Sequence, residues 1–228
     1  MRSPVPEEVD GIAFRKEPVL SLVEELEIGR EWLLDHALPD VISGWVPVLA
    51  SLSGYLRAPM VRDGFLFVNG NSDQLGNSTL RHLFASLARQ CRDAGIRLVL
   101  EWTESLPYHA ETMDVLCGLR QSCGTQIAVD DGGSVGLDVL WRMTRIPPDW
   151  LKIDGAWFHL AEKEEWAAET LYQTLCAAKN LGVRTVIEWI ETPGQLRFAR
   201  DLGAEFGQGF YWKNQRVIPA DTVREVGK

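Results

Sequence analysis

Positive charge is in short supply relative to negative in this sequence of 228 residues. Lys plus Arg number 23 against 32 Asp plus Glu, a formal net charge of −9. Sequence-independent binding of DNA or RNA needs cations against phosphates, so no nucleic-acid polymer is expected as a partner. Cysteine is scarce too. Cys91, Cys117, Cys123 and Cys176 form no CxxC, and His36, His82, His109 and His159 are equally dispersed. Those spacings exclude a disulfide framework and a His/Cys zinc cluster, and they favour reduced thiols in the cytoplasm. No apolar run approaches the roughly 20 residues that span a bilayer, so no membrane contact is expected. Met1 is followed by RSPVPEEVDG, without the apolar stretch of a signal peptide.

Internal repeats, low-complexity segments and Gly/Ser linkers are also missing. No GxGxxG follows a first strand, which removes the support for dinucleotide binding. The length admits one large domain or two small ones. The expectation is a loose segment over 1–11 and a single domain over 12–228, with no fused sensory domain.

What is present is a set of short apolar runs that end in polar residues: FLFVN (65–69), RLVLEWTE (97–104), QIAVDD (126–131), DWLKID (149–154), RTVIEWIE (184–191) and AEFGQGF (204–210). Runs of this kind suit strands buried on both faces of a parallel sheet. Helical spacing fills the gaps. In 78–95, Leu80, Leu83, Phe84, Leu87 and Ala88 share a stripe, with Ser78 placed as N-cap and Gly95 just past the end. Residues 164–182 and 192–203 repeat the pattern, the latter with Pro193 in its first turn. Alternating strand and helix predicts right-handed βαβ units, an α/β chain closed as a small (βα)8-type barrel. An open doubly wound sheet is the alternative.

The strand ends carry polar residues, most of them acids. Asn69, Glu101, Glu104, Asp130, Asp131, Lys152, Asp154, Glu188, Glu191 and Gln208 all fall at or just beyond them. In a βα barrel the C-terminal strand ends converge on one mouth. Several carboxylates there would repel one another unless hard divalent cations were bound, and oxygen ligands select Mg²⁺ or Mn²⁺ over zinc. A nearby Lys can orient a metal-bound water or meet a phosphate.

In order along the chain, VNGNSDQL, LEWTES, VDDGGSVG, LKID, IEWIET and GQGFYW resemble the motifs of the EAL-domain family. The resemblance extends from about Phe14 to Val217. It implies a modified TIM (βα)8-type barrel that hydrolyses cyclic di-GMP to linear pGpG with two metal ions. The name-giving motif is placed at Glu24-Glu25-Leu26, with Glu25 and Glu27 as register alternatives, and EELEIGREWLLDH reads equally as an exposed helical stretch. By resemblance one Mg²⁺ or Mn²⁺ takes Glu24, Asn69, Glu101 and Asp130. A second takes Asp130, Asp131 and Glu188, with Asp130 bridging. A metal-bound water held by Lys152 is the nucleophile. Glu104 and Glu191 stand behind the ligands, Gln208 completes the shell, and Arg30 replaces the arginine the family uses on the ligand's phosphate.

Three departures from the family pattern bear on activity. The loop after the Asp pair reads GGSVGLDVL, in a region the family uses for the second metal and for a homodimer contact. Trp189 stands where the family has Gly, and Trp102 sits beside Glu101; each reads as core, or, for Trp189, as a residue crowding the mouth or stacking on guanine. The segment between Glu24 and Asn69 is short, which expects a barrel trimmed near the N-terminus. Two functions follow. One is a metal-dependent phosphodiesterase. The other is a weak or inactive module that binds cyclic di-GMP or a protein partner.

Overall fold

The alternation of apolar runs and helical stripes reappears from Phe65 onward in a computed structural model of the chain. It describes residues 7–9, 12–34, 46, 48–49, 56, 64–103, 111–132, 142–213 and 218–219. These fall into two compact units, one formed of residues 1–17 and 30–126, the other of 18–29 and 127–228.

In the first unit, β1 (Glu7–Val9) pairs antiparallel with the start of β2 (Ile12–Ser21). Residues 7–9 thus form a strand within the segment read above as loose. Strand β3 (Leu26–Leu34) enters this unit with its second half. Next come β4 (Phe65–Gly70), α1 (Ser72–Gly76), α2 (Ser78–Asp93) and β5 (Arg97–Trp102). β4 and β5 run parallel through six register pairs, among them Asn69 with Glu101. Helix α2 begins where its sequence stripe does, but the cap is Asn77, whose side chain accepts from the Thr79 and Leu80 amides. Ser78, expected as the cap, is the first helical residue instead. The chain turns into the helix one residue earlier than expected. Gly95 does close the helix, at φ +73, where a side chain would be strained. Phe84, Leu87 and Cys91 bury one face of α2, as Leu66, Val68, Leu98 and Leu100 bury the strands. Helix α3 (Glu111–Cys123) follows.

The second unit holds β6 (Gln126–Gly132), β7 (Trp150–Ile153), β8 (Arg184–Ile187) and β9 (Phe206–Gly207), parallel in that order. The end of β2 runs antiparallel to β9, and β10 (Ile218–Pro219) pairs with the start of β3. Between β7 and β8 lie α4 (Gly155–Ala161) and α5 (Glu165–Asn180); between β8 and β9 lies α6 (Pro193–Asp201). Thr192 and Gln195 cap α6 reciprocally, with Pro193 in the first turn as its fixed φ favours. Leu151, Ile153, Phe158, Leu171, Leu175, Ile187 and Leu196 form one apolar core. Each is almost wholly removed from water, which at about 1.5–3 kcal/mol per large side chain is the main force holding helices to strands.

The trimming expected between Glu24 and Asn69 concerns a segment whose residues 35–63 lie largely outside the described residues, as does the loop 133–141 after the Asp pair. Among the described residues no helix is long and apolar enough to cross a membrane.

Candidate active site

The first unit gathers three oxygen-bearing side chains. Parallel register sets Asn69 of β4 beside Glu101 of β5. Asn69 Nδ2 donates to Glu31 Oε1 at 3.0 Å. Glu101 is fully buried and Glu31 nearly so, at 2% exposure. Glu31 is the residue that sequence reasoning missed. Along β3 side chains alternate, and Glu27, Gly29 and Glu31 are the buried set while Leu26, Ile28 and Arg30 are half-buried. That period of two was the available signal, together with Glu31-Trp32-Leu33, which repeats the Glu-x-Leu form seven residues after Glu24.

Glu24 does not take the place expected for it. It lies in the turn between β2 and β3, exposed, with its amide donating to Ser21 Oγ at 3.2 Å. It lines a surface cleft with Glu25, Lys179 and Arg200. Glu25 pairs with Arg200 Nη2 at 2.7 Å, a surface ion pair. The misplacement has a physical cause: four acids in the eight residues 24–31 offer several registers, and only burial distinguishes them. Arg30 is corrected with it. As the neighbour of Glu31 on a strand, it stands on the opposite face.

The second unit gathers the ion-paired group. Lys152 of β7 is buried at 2% exposure. Its Nζ lies 2.7 Å from Glu188 Oε1 and 3.5 Å from Asp130 Oδ1. Asp130 sits at an irregularity in β6. Val129 pairs with Leu151 and Gly132 with Ile153, so three steps on β6 match two on β7. One extra residue re-aims the side chains of the bulge. The Asp130 carbonyl is held by Arg142 Nη2 at 3.0 Å, and Arg142 is itself fully buried. Arg142 is a second residue sequence reasoning missed, since nothing in WRMTRIP separates a buried Arg from a solvated one. Backbone bonds fix the neighbours. The Glu188 amide donates to the Ile153 carbonyl at 3.1 Å, and the Gln208 amide to the Ile187 carbonyl at 2.9 Å. Gln208 is buried.

Other expected residues are placed differently. Asp154 caps α4 by accepting from the Ala156 amide at 3.0 Å. Glu191 is exposed, and its amide donates to Gln195 Oε1 at 2.8 Å, so its backbone belongs to the start of α6. The side chain of Asp131 and all of Glu104 lie outside the described residues.

The two tryptophans divide. Trp102 is core: it is fully buried, and its Nε1 donates to Ser72 Oγ at 3.3 Å. Trp189 is not. It is 53% exposed and sits at φ +56, a left-handed backbone that costs a bulky residue about 1–3 kcal/mol.

The donors are carboxylates and amides, with no thiolate or imidazole among them. Such a set fits a hard divalent cation. Asp130 Oδ1 is buried and accepts no hydrogen bond, the 3.5 Å approach of Lys152 being an ion pair only. Among the described residues no three His, Cys, Asp or Glu side chains are already clustered for a metal.

Comparison with known proteins agrees with this reading of the strands. The family described as EAL domain matches residues 49–215. "Probable cyclic di-GMP phosphodiesterase PdeN" of Escherichia coli is 34% identical over 132 residues, 58% of this chain and 25% of its own length. The chain spans about a quarter of the length of three curated relatives it matches, and 49% of another. Among solved structures, the EAL domain of Mycobacterium smegmatis DcpA superposes with a TM-score of 0.72 at 23% identity, covering 93% of this chain and 94% of that one. Klebsiella pneumoniae BlrP1, solved as a manganese and cyclic di-GMP complex, gives 0.73 at 19% identity, covering 90% of this chain and 57% of that one. BlrP1 has also been solved with calcium and cyclic di-GMP. These likenesses show the fold, the α/β TIM-barrel type of EAL domains, as the apolar runs predicted.

Proposed function

Because the chain belongs to the EAL-domain family, we propose that it is a metal-dependent phosphodiesterase that opens cyclic di-GMP to linear pGpG in the cytoplasm. The observation that carries the reading is Lys152 Nζ between Glu188 Oε1 and Asp130 Oδ1, at 2.7 and 3.5 Å. A buried ammonium flanked by two carboxylates is costly to assemble for stability alone, and the three residues close three different strands of one unit. Relatives named as cyclic di-GMP phosphodiesterases support the substrate class.

Glu31, in place of Glu24, with Asn69 and Glu101 would hold one divalent cation, and Asp130, Asp131 and Glu188 a second. Mg²⁺ or Mn²⁺ bound there would supply Lewis acidity toward the phosphate and lower the pKa of a bound water. The chain's own groups do the rest. Lys152, steadied by Glu188, donates to the oxygen that attacks phosphorus and offsets charge that develops there. The water oxygen joins phosphorus and gives up a proton, one ester bond of the ring breaks, and the released sugar oxygen takes up a proton to become a hydroxyl. Arg142 holds the Asp130 carbonyl and so fixes the bulge that aims the acid. Gln208 lies beside the end of β8 and is suited to orient substrate. Glu104 and Glu191 are assigned to supporting the loops around these strands. A homodimer contact by the loop after the Asp pair also belongs to this reading.

Calorimetry tests it. Cyclic di-GMP is titrated into the chain in Mg²⁺, in Ca²⁺ and in EDTA, with the products separated afterwards. Metal-dependent binding with pGpG formed in Mg²⁺ is expected. Binding without pGpG would select the regulatory alternative, for which the altered Trp189 position is the favouring observation. No binding in any condition would overturn both.

A further inference from the structure

Trp189 has a backbone that does not suit it and an exposure that packing does not require. Its neighbours hold it there. The Glu188 amide donates to Ile153 on one side, and on the other the Ile190 amide donates to the Gln208 carbonyl at 3.1 Å. The Trp189 carbonyl accepts from His159 Nε2 at 3.0 Å. Ile190 is fully buried and does the packing at this corner, so the indole is not needed to fill the core. The ring is nonetheless fixed. It lies against Gly155 so closely that a Cβ there would overlap Trp189 Cγ and Cδ2. The His159 ring meets it edge-on at 6.0 Å and 62°. One side of the indole is therefore seated on Gly155, while more than half of its surface faces solvent.

A rigid, half-exposed indole is a surface made in advance for a flat aromatic partner, since little side-chain freedom remains to be lost on binding. Its place identifies the partner. Trp189 follows Glu188 directly, so the ring stands one residue from the carboxylate that steadies Lys152, the group assigned to the attacking oxygen. We propose that Trp189 is a positioning residue that stacks on a guanine base of cyclic di-GMP. The proposal rests on the phosphodiesterase reading above and adds to it a base contact of this chain's own.

The experiment uses the full chain and three variants, Trp189→Gly, Trp189→Leu and Trp189→Phe. Glycine suits the left-handed backbone, leucine keeps apolar bulk without a π face, and phenylalanine keeps the π face. Circular dichroism and thermal melts confirm that each is folded. Cyclic di-GMP affinity is measured by calorimetry in Ca²⁺, and KM and kcat in Mn²⁺. Base–aromatic stacking gives about tenfold in affinity per base. Gly and Leu variants are expected to raise Kd and KM about tenfold, with the loss falling on KM and not on kcat, and Phe to stay within about threefold of the parent. Unchanged Kd in folded Gly and Leu variants, with the parent still binding, would overturn this inference alone. A parent chain that neither binds nor hydrolyses cyclic di-GMP would overturn the phosphodiesterase reading and this inference with it.

Discussion

Asn69 donates its side-chain amide to Glu31 across 38 positions of sequence, at 3.0 Å, and Glu101 stands beside Asn69 in strand register. The pairing decides which glutamate of the acidic segment belongs with the later motifs. Glu31→Ala should lower pGpG formation by about 100-fold or more, the scale of losing a ligand or its support. Glu24→Ala should stay within about twofold of the parent. Parallel rate measurements in Mn²⁺ check both. A larger loss for Glu24→Ala than for Glu31→Ala would return the motif to the turn.

Lys152 is the buried cation on which Glu188 and Asp130 depend. Lys152→Met keeps the apolar stem and removes the charge, leaving two carboxylates close together. Breaking a buried pair costs about 3–5 kcal/mol; here the carboxylates keep some solvent contact, so about 3 kcal/mol is expected. Urea denaturation in EDTA measures it. Activity should fall by about 100-fold or more even where the variant is folded, because a positioned donor is lost.

Gly155 and Trp189 form a tight pair. Gly155→Ala places a Cβ into the indole and should destabilise by about 1–3 kcal/mol through overpacking. In a Trp189→Gly background the same change should cost less than about 0.5 kcal/mol, since the obstacle is gone. A double-mutant cycle of thermal melts reads the coupling directly. Equal costs in both backgrounds would show that the ring is not seated as described.

Cys91 gives the chain an alkaline limit. Burial pushes its thiol from 9.0 up to about 12. The unfolded chain ionises this thiol near pH 9 while the folded chain keeps it neutral. The folded state therefore binds the extra proton, and its advantage is intact below pH 9 and is lost as pH rises from about 9 towards about 12. Near pH 10 the loss is on the order of 1 kcal/mol, from 1.36 kcal/mol per pH unit. Cys91→Ala should start less stable but lack this slope. Denaturation at pH 8 and pH 10 compares the two chains.

Much of this arrangement is legible in the residues. The strand runs and helical stripes between Phe65 and Gly207 lie within a few residues of their elements, because buried parallel strands must be apolar and helices must present a stripe. The acids at the ends of β4 to β8 follow from the same runs. Two features are not legible. Glu31 hides among Glu24, Glu25 and Glu27, and its identity depends on a side-chain amide donated from 38 residues away. The left-handed backbone of Trp189 leaves no mark in its own residue type, because it is imposed by hydrogen bonds to Ile153, Gln208 and His159. Family resemblance gave the one hint, a glycine where this chain has tryptophan.

Catalysis at the acidic strand ends has a direct test. The most direct measurement is chromatographic detection of pGpG from cyclic di-GMP in Mn²⁺ or Mg²⁺, beside an EDTA control and the Glu101→Ala variant. Steady pGpG formation by the parent chain is expected, stopping with EDTA and falling by at least about 100-fold in the variant. Absence of pGpG from a folded parent chain, while a known phosphodiesterase is active in the same buffer, would contradict it.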